Sequence, residues 1–282
     1  MTGRAVVAVD GGPASDAALG WAIDVAKRLS LDLEIVAVVD LAEASPEQFE
    51  RLEPPYRQVL DSAIERVSRE APAIHAVSVI HHGPRRTRIV EASRDASMLV
   101  IGSDKPGTVV GLLHGTLPLQ LADSAVCPLV VVPRQWTPGG TAVVVGQGDT
   151  TDREALTFAV TQATATGQPL RMVRAWDVPG LLDAYLLGRG LVFDEVKRVN
   201  GQALDNTVRL VRQTYHELIV ESRLKRGNPS VVMLEEARTA SLVVVGTHRY
   251  GPVAGLLLGS IGHDLLLNVP CPIAIVPPQS GR

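Results

Sequence analysis

An α/β protein of two tandem domains is what the sequence predicts, each domain a doubly wound, five-stranded parallel sheet with helices on both faces. Three observations carry that reading. The chain repeats itself: Leu99–Pro133 and Val243–Pro277 align without a gap at an offset of 144, with 13 of 35 aligned positions identical. Within each copy, short β-branched runs alternate with longer stretches of helical period, the order of βαβ units. The runs themselves, such as "VVAV" at 6–9 and "LVVV" at 129–132, are apolar without alternation. Strands read that way when helices cover both of their faces. A period this long duplicates a whole domain and is no solenoid repeat.

From the N-terminus, the first domain reads as strands over 4–9, 32–39, 74–81, 97–102 and 128–132, with helices over 14–29, 47–70, 85–95 and 115–125. The second reads as strands over 141–146, 169–175, 217–224, 241–246 and 272–276, with helices over 152–165, 190–214, 229–239 and 259–267. Upstream of the strong repeat the match is looser: "AVVAVDGGPASDAAL" at 5–19 answers to "VVVGQGDTTDREAL" at 143–156, and 34–40 to 170–176. Pro and Gly cluster in "RQWTPGG" at 134–140, which reads as a short linker and divides the chain into domains 1–135 and 141–282. The fifth strands, "CPLVVVP" and "CPIAIVP", present β-branched edges that need a partner. A tandem chain can supply it by pairing the fifth strands across domains, an intramolecular pseudo-dimer, and two chains can associate further as a homodimer. The stretch 181–196, "LLDAYLLGRGLVFDEV", is expected to pack between domains or under the second cleft.

Composition narrows the function classes. A chain of 282 residues with 46% hydrophobic residues is long and apolar enough for two cores. No apolar run approaches the roughly 18 residues of a membrane span. The opening "MTGRAVVAVDGG" lacks the apolar core of a secretion signal. A net charge of −3 implies no nucleic-acid surface, and two cysteines, Cys127 and Cys271, make no disulfide framework. A cytoplasmic protein with no membrane or nucleic-acid partner is expected.

Chemistry concentrates after the fourth strand of each copy. That strand ends at Gly102 or Gly246, and the next helix opens at Gly115-Thr116 or Gly259-Ser260. A glycine at a strand end lets a ligand approach the backbone. A helix that starts with Gly and a hydroxyl residue offers free N–H groups and the positive end of its dipole, which suits phosphate. The arrangement resembles the universal stress protein family, whose nucleotide-binding members carry G-x2-G-x9-G-(S/T) here. Both copies keep the spacing, and both replace the second glycine, by Lys105 and by Arg249. Two readings of the replacement stand: a long side chain strains a position that needs positive φ, or the cation reaches the phosphates and replaces a backbone contact.

The resemblance implies a Rossmann-like, adenine nucleotide alpha hydrolase-like fold and ATP as the ligand, with Mg2+ held by phosphates and water near Thr116 or Ser260. It implies that Asp10, beside Gly11, meets the ribose, and that Val39 and Ala175 meet the adenine through backbone atoms. Leu117 and Ile261 follow the Gly-Thr and Gly-Ser pairs. Gln147 aligns to the Asp10 position, so the first site is expected to bind better than the second. The expected function is a nucleotide-dependent stress-response regulator with an unnamed protein partner, at most a slow ATPase. The alternative is a universal stress protein that binds no ATP and serves as an interaction module. An amidase or ligase relative would need a longer phosphate loop or acid–base residues.

Blander features complete the reading. No G-x4-G-K-(S/T) is present, and "LGSIG" at 258–262 lacks the first glycine of a nucleophile elbow. His81 and His82, on opposite strand faces, read as a solvated pair and not a metal site. Cys127 and Cys271 read as buried thiols, and "GPRRTR" at 83–88 as a solvated first turn of the third helix.

Overall fold

The structure, a computed structural model, describes residues 3–40, 46–104, 117–148, 153–177, 191–249, 256–257 and 259–278. In the first half, β1 (Arg4–Ala8), α1 (Pro13–Leu29), β2 (Asp32–Val39), α2 (Pro46–Glu70), β3 (Ala76–His82), α3 (Arg85–Ala92), β4 (Met98–Ser103), α4 (Leu117–Ala122) and β5 (Leu129–Pro133) follow one another. In the second half come β6 (Val143–Gly146), α5 (Arg153–Thr166), β7 (Leu170–Trp176), α6 (Leu191–Thr214), β8 (Val220–Arg226), α7 (Pro229–Ala237), β9 (Leu242–Gly246), β10 (His248–Arg249), β11 (Leu256–Leu257), α8 (Ser260–Asn268) and β12 (Ile273–Val276).

Local chemistry fixes these elements. In α1, Gly12 is extended at the N-cap, and Pro13 follows where a missing N–H costs nothing. Asp16 in the first turn and Lys27 and Arg28 in the last complement the helix dipole. Ser30 ends the helix in the left-handed region, φ 53, its N–H bonded to the Ala26 carbonyl. Asn228 caps α7 by accepting from the Ser230 N–H at 2.9 Å and the Val231 N–H at 3.4 Å.

Ten strands form one sheet in the order β3-β2-β1-β4-β5-β12-β9-β6-β7-β8. Within each half the strand pairs of this sheet are all parallel, and the halves meet where β5 runs antiparallel to β12, with Val131 opposite Ile273 and Leu129 opposite Ile275. The expected pairing of fifth strands across domains is therefore present inside one chain. Helices α1, α2, α5 and α6 cover one face over a core that includes Val7, Ile35, Ala159 and Val244. Helices α3, α4, α7 and α8 cover the other face over Val6, Leu99, Val144 and Ile273. Each core takes residues from both halves, because the β5–β12 junction lies at the middle of the sheet. The linker is anchored too: Trp136 packs against α1, where a Cβ on Gly20 would stand 3.4 Å from its ring.

Element types and order agree with the sequence reading. The small antiparallel pair β10–β11, His248 opposite Leu257 and Arg249 opposite Leu256, was not anticipated. Helix α3 stops at Ala92, three residues early, where the Ser93 hydroxyl turns back to the Val90 carbonyl at 3.0 Å. In each half the crossovers leave the first strand in opposite directions, so a crevice opens at the carboxyl ends of β1 and β4, and of β6 and β9.

Candidate functional site

The wider crevice belongs to the second half. A cavity of about 500 Å³ opens at the ends of β6, β7 and β9, lined by Val173, Ala175, Val245, Met233 and the start of α8. Gly259 precedes α8 with φ −59 and ψ 162, and among the described residues no side chain caps the helix. A Cβ on Gly259 would meet nothing within 4 Å. Gly259 and Ser260 are exposed, Ile261 is half-buried, and all three line the cavity with Gly262. Among the described residues nothing takes up the amides at this end, and the positive end of the helix dipole faces the crevice. Gly246 closes β9 opposite Val276, at the cavity edge. Arg249 lies in β10, extended and paired with Leu256, so its position does not call for positive φ. Of the two readings of that replacement, strain drops out for this copy.

Polar groups gather at the β6–β7 side. Arg174, only 6% exposed, donates from Nε to Asn200 Oδ1 at 2.7 Å and from Nη1 to the Gly148 carbonyl at 2.6 Å. Trp176 meets Phe193 edge to face at 6.3 Å, and the Arg226 guanidinium lies 4.4 Å over the Phe193 ring. Arg226 also pairs with Asp177 at 3.6 Å. Phe193, from the apolar stretch flagged in the sequence, thus braces the wall beside the second cleft; residues 181–190 lie outside the described residues.

The first-half crevice is narrow, a cavity of about 70 Å³ whose lining includes Asp10, Arg85, Gly102, Asp104 and Leu117. Asp10 is exposed, and its Oδ1 accepts from the Gly12 N–H at 2.9 Å. The Ser15 hydroxyl ties the same turn, accepting from the Asp10 N–H at 3.3 Å and donating to the Gly12 carbonyl at 2.9 Å. Gly11 has φ +81, the left-handed region that favours glycine. Gly102 owes its identity to packing: a Cβ there would fall 2.2 Å from the Ala14 carbonyl oxygen and 2.7 Å from the Ser15 nitrogen. The first turn of α1 lies directly on it, so room for a ligand is not what demands a glycine at that position. Leu117 opens α4, half-buried; Lys105, Gly115 and Thr116 lie outside the described residues.

Ladder hydrogen bonds correct the match between halves by one residue. The Val9 N–H bonds the Val36 carbonyl at 2.9 Å, and the Gln147 N–H bonds the Val173 carbonyl at 2.8 Å. Gln147 is thus the counterpart of Val9, and Gly148 the counterpart of Asp10. Likewise the Gly83 N–H bonds the Val39 carbonyl at 3.1 Å and the Gly227 N–H the Trp176 carbonyl at 2.9 Å. Val39 therefore corresponds to Trp176, and Ala175 to Val38. Gln147 turns towards α6, donating from Nε2 to Thr207 Oγ1 at 2.5 Å and to the Ala203 carbonyl at 3.3 Å.

The remaining candidates resolve as structure. His82 Nε2 lies 2.7 Å from Glu53 Oε1, so it is paired, not merely solvated. The hydrogen bond from the Arg57 guanidinium, with a smaller contribution from His82, holds the Glu53 carboxyl below its ordinary value. No group of three or more potential metal ligands occurs among the described residues. Both cysteines are buried, and burial pushes the Cys127 thiol up to about 11 and the Cys271 thiol to about 12. In the basic cluster, Arg88 donates to the His82 carbonyl at 2.7 Å and pairs with Glu91 at 2.8 Å, while Arg86 donates to Ser124. The sequence reading missed Arg174, Asn200 and Trp176; the available signal was a pair of arginines, Arg171 and Arg174, inside the otherwise apolar run "LRMVRAW".

Comparison with known proteins agrees with this architecture. The universal stress protein Rv1996 of Mycobacterium tuberculosis H37Rv is 28% identical over 302 aligned residues, covering 96% of this chain and 93% of its own length. Rv2005c of the same strain is also 28% identical, covering 96% of this chain and 95% of its own. A crystal structure of a universal stress protein from Archaeoglobus fulgidus superposes with a TM-score of 0.72 at 17% identity, covering 98% of both chains, a likeness of fold. The model of the universal stress protein family matches residues 1–133 and again 141–277, the two halves joined by β5 and β12. The chain belongs to the universal stress protein family, with two copies of its domain in tandem.

Proposed function

We propose that the chain binds an adenine nucleotide at the carboxyl ends of its parallel strands, ATP with Mg2+ being the form the phosphate-facing elements suit, and that occupancy regulates a protein partner. One observation carries the reading: the start of α8, uncapped among the described residues, faces a cavity of about 500 Å³ at the switch point of the second sheet. That volume falls in the range of about 300–1,000 Å³ usual for small-molecule sites. The amides of Ser260, Ile261 and Gly262 would hold phosphate, with Arg249 adding positive charge from β10. Mg2+ would be held mainly by phosphate and water, with the Ser260 hydroxyl alongside. Val173, Ala175, Val245 and Met233 offer the apolar surface a base needs. In the first half Asp10 would take the ribose and Val39 the base, with Lys105, Gly115, Thr116 and Leu117 completing the phosphate end.

The test starts with protein purified without added nucleotide, denatured and searched for released adenine nucleotide. Calorimetry with ATP and Mg2+ follows. Binding at micromolar to millimolar ATP supports the reading; no released nucleotide and no heat at millimolar ATP remove it. The second reading, an interaction module without nucleotide, is favoured in the first half by its cavity of about 70 Å³. It predicts at most one nucleotide per chain.

A further inference from the structure

We propose that a groove of about 880 Å³ beside the central joint docks an extended peptide segment of a protein partner, anchored by one aromatic side chain. Its walls are the starts of β4 and β5, the outer turns of α5 and the end of β12, and it shares no described residue with either cleft. The first half shows what covers the equivalent place. Helices α1 and α5 match residue by residue: the Leu31 N–H bonds the Ala26 carbonyl at 3.1 Å, and the Gln168 N–H bonds the Ala163 carbonyl at 3.1 Å. Thr157 then stands at the place of Gly20, Phe158 at that of Trp21 and Gln162 at that of Val25. In the first half the linker folds back over this helix. The Arg134 N–H extends β5 by bonding the Ser103 carbonyl at 3.0 Å, and the Trp136 N–H turns back to the Pro133 carbonyl at 2.9 Å. The Trp136 ring then lies beside Gly20, 3.4 Å from where a Cβ would stand, and among Trp21, Val25 and Pro138.

The second copy has no such plug in its sequence. At the offset of 144, Pro278 answers to Arg134 and Ser280 to Trp136. A proline has no N–H with which to continue the ladder, and a serine has no ring. Residues 279–282 themselves lie outside the described residues. The groove over α5 has the chemistry of a peptide site. Leu29, Leu31, Met98 and Phe158 line it, and Val126 on its wall is 49% exposed. Gln162, also in the lining, is only 2% exposed, and its buried Nε2 has no acceptor among the described residues. A peptide carbonyl laid along α5 would supply that acceptor, and an unmet buried donor is costly. Arg153 and Glu154 add one charge of each sign, which favours neither a polyanion nor a polycation. A buried aromatic anchor is the usual centre of a small protein interface.

The probe is the segment that covers the first-half helix: a fluorescein-labelled peptide PRQWTPGG, residues 133–140, titrated with the full chain and read by anisotropy. The expected result is a Kd below about 1 mM. The same peptide with alanine in place of its tryptophan should bind at least about tenfold more weakly, the scale of one lost aromatic anchor. Val126→Glu puts a charge on the groove wall, and Thr157→Trp lays the chain's own ring across it. Both positions are exposed, so each variant should keep its thermal melt while losing about tenfold or more in peptide affinity. No binding at about 1 mM chain overturns the inference, and so does binding indifferent to the peptide's tryptophan. Affinity that survives both substitutions in folded protein also overturns it. Binding seen only after residues 1–2 or 279–282 are changed to glycine shows the groove held by this chain's own ends, and overturns it as well. Each outcome is read without nucleotide, so nucleotide binding stands or falls separately.

Discussion

Two glycines with the same sequence signature hold their places for opposite reasons. Gly102 is locked by the Ala14–Ser15 backbone, so Gly102→Ala forces backbone apart and should cost about 1–3 kcal/mol, read as a lower denaturation midpoint. A Cβ on Gly259 would meet nothing within 4 Å among the described residues, and the backbone there already has the extended conformation of an N-cap residue. Gly259→Asp should therefore cap α8 and raise stability by a few tenths of a kcal/mol. The same carboxylate would occupy the phosphate's donors, so second-site ATP binding should vanish. A variant that melts higher yet binds ATP unchanged would show that phosphate does not sit at α8. The buried thiols set a pH dependence. Cys127 and Cys271 hold their protons to about 11 and about 12 in the fold, against about 8.5 in the unfolded chain. Above the unfolded value the native state binds more protons, so stability is full below about pH 8.5 and falls as pH rises towards the folded values. A Cys127→Ala, Cys271→Ala chain should lose less stability between pH 8 and about 10 in denaturant titrations.

Elements were legible in proportion to how much local chemistry specifies them. Strand runs such as Val143–Val145 and the Pro13 start of α1 announce themselves, and so did the spacing from Gly246 to Gly259. Register did not. With β1, β2, β6 and β7 buried on both faces, sliding a strand by one residue leaves an equally apolar sequence, and the Asp10 counterpart moves from Gln147 to Gly148. Only the ladder hydrogen bonds fix it. The reason for Gly102 was equally hidden, because Ala14 lies 88 residues away in sequence and contacts it only in the folded sheet. The pair β10–β11 is two residues per strand and carries no period to read. Caps show how equivalent elements are secured by different residues. α7 begins at Asn228, whereas α3 begins at Pro84 without a side-chain cap and instead offers the Arg85 N–H to Asp40 Oδ2 at 3.3 Å. Asn228→Ala should cost about 1 kcal/mol in a thermal or denaturant melt. Because α7 supplies Pro229 and Met233 to the second cleft, nucleotide affinity there should weaken in parallel.

At the scale of the molecule, the antiparallel β5–β12 joint turns two domains into one sheet with shared cores on both faces. Val130 and Ala274 stand opposite each other in the same apolar cluster, which runs from Ala5 in the first half to Leu242 in the second. Unfolding one half would strip its neighbour of a strand partner and expose a β-branched edge, so the halves should unfold together. The tryptophans allow a direct check, since Trp21 lies in α1 and Trp176 in β7. Two variants, each with two tryptophans changed to phenylalanine, leave either Trp21 or Trp176 as the fluorescent reporter. In each variant the fluorescence midpoint in urea should coincide with the midpoint from circular dichroism. Adding Gly102→Ala, which acts only in the first half, should lower the Trp176 midpoint as much as the Trp21 midpoint. Separate transitions, or a Trp176 midpoint indifferent to Gly102→Ala, would mean that the central strand pair joins two independently folding units. Ligand binding in one cleft could then not reach the other through the sheet. Coincidence makes that coupling physical, because a ligand that stabilises one half of a single cooperative unit raises the free energy of unfolding for both.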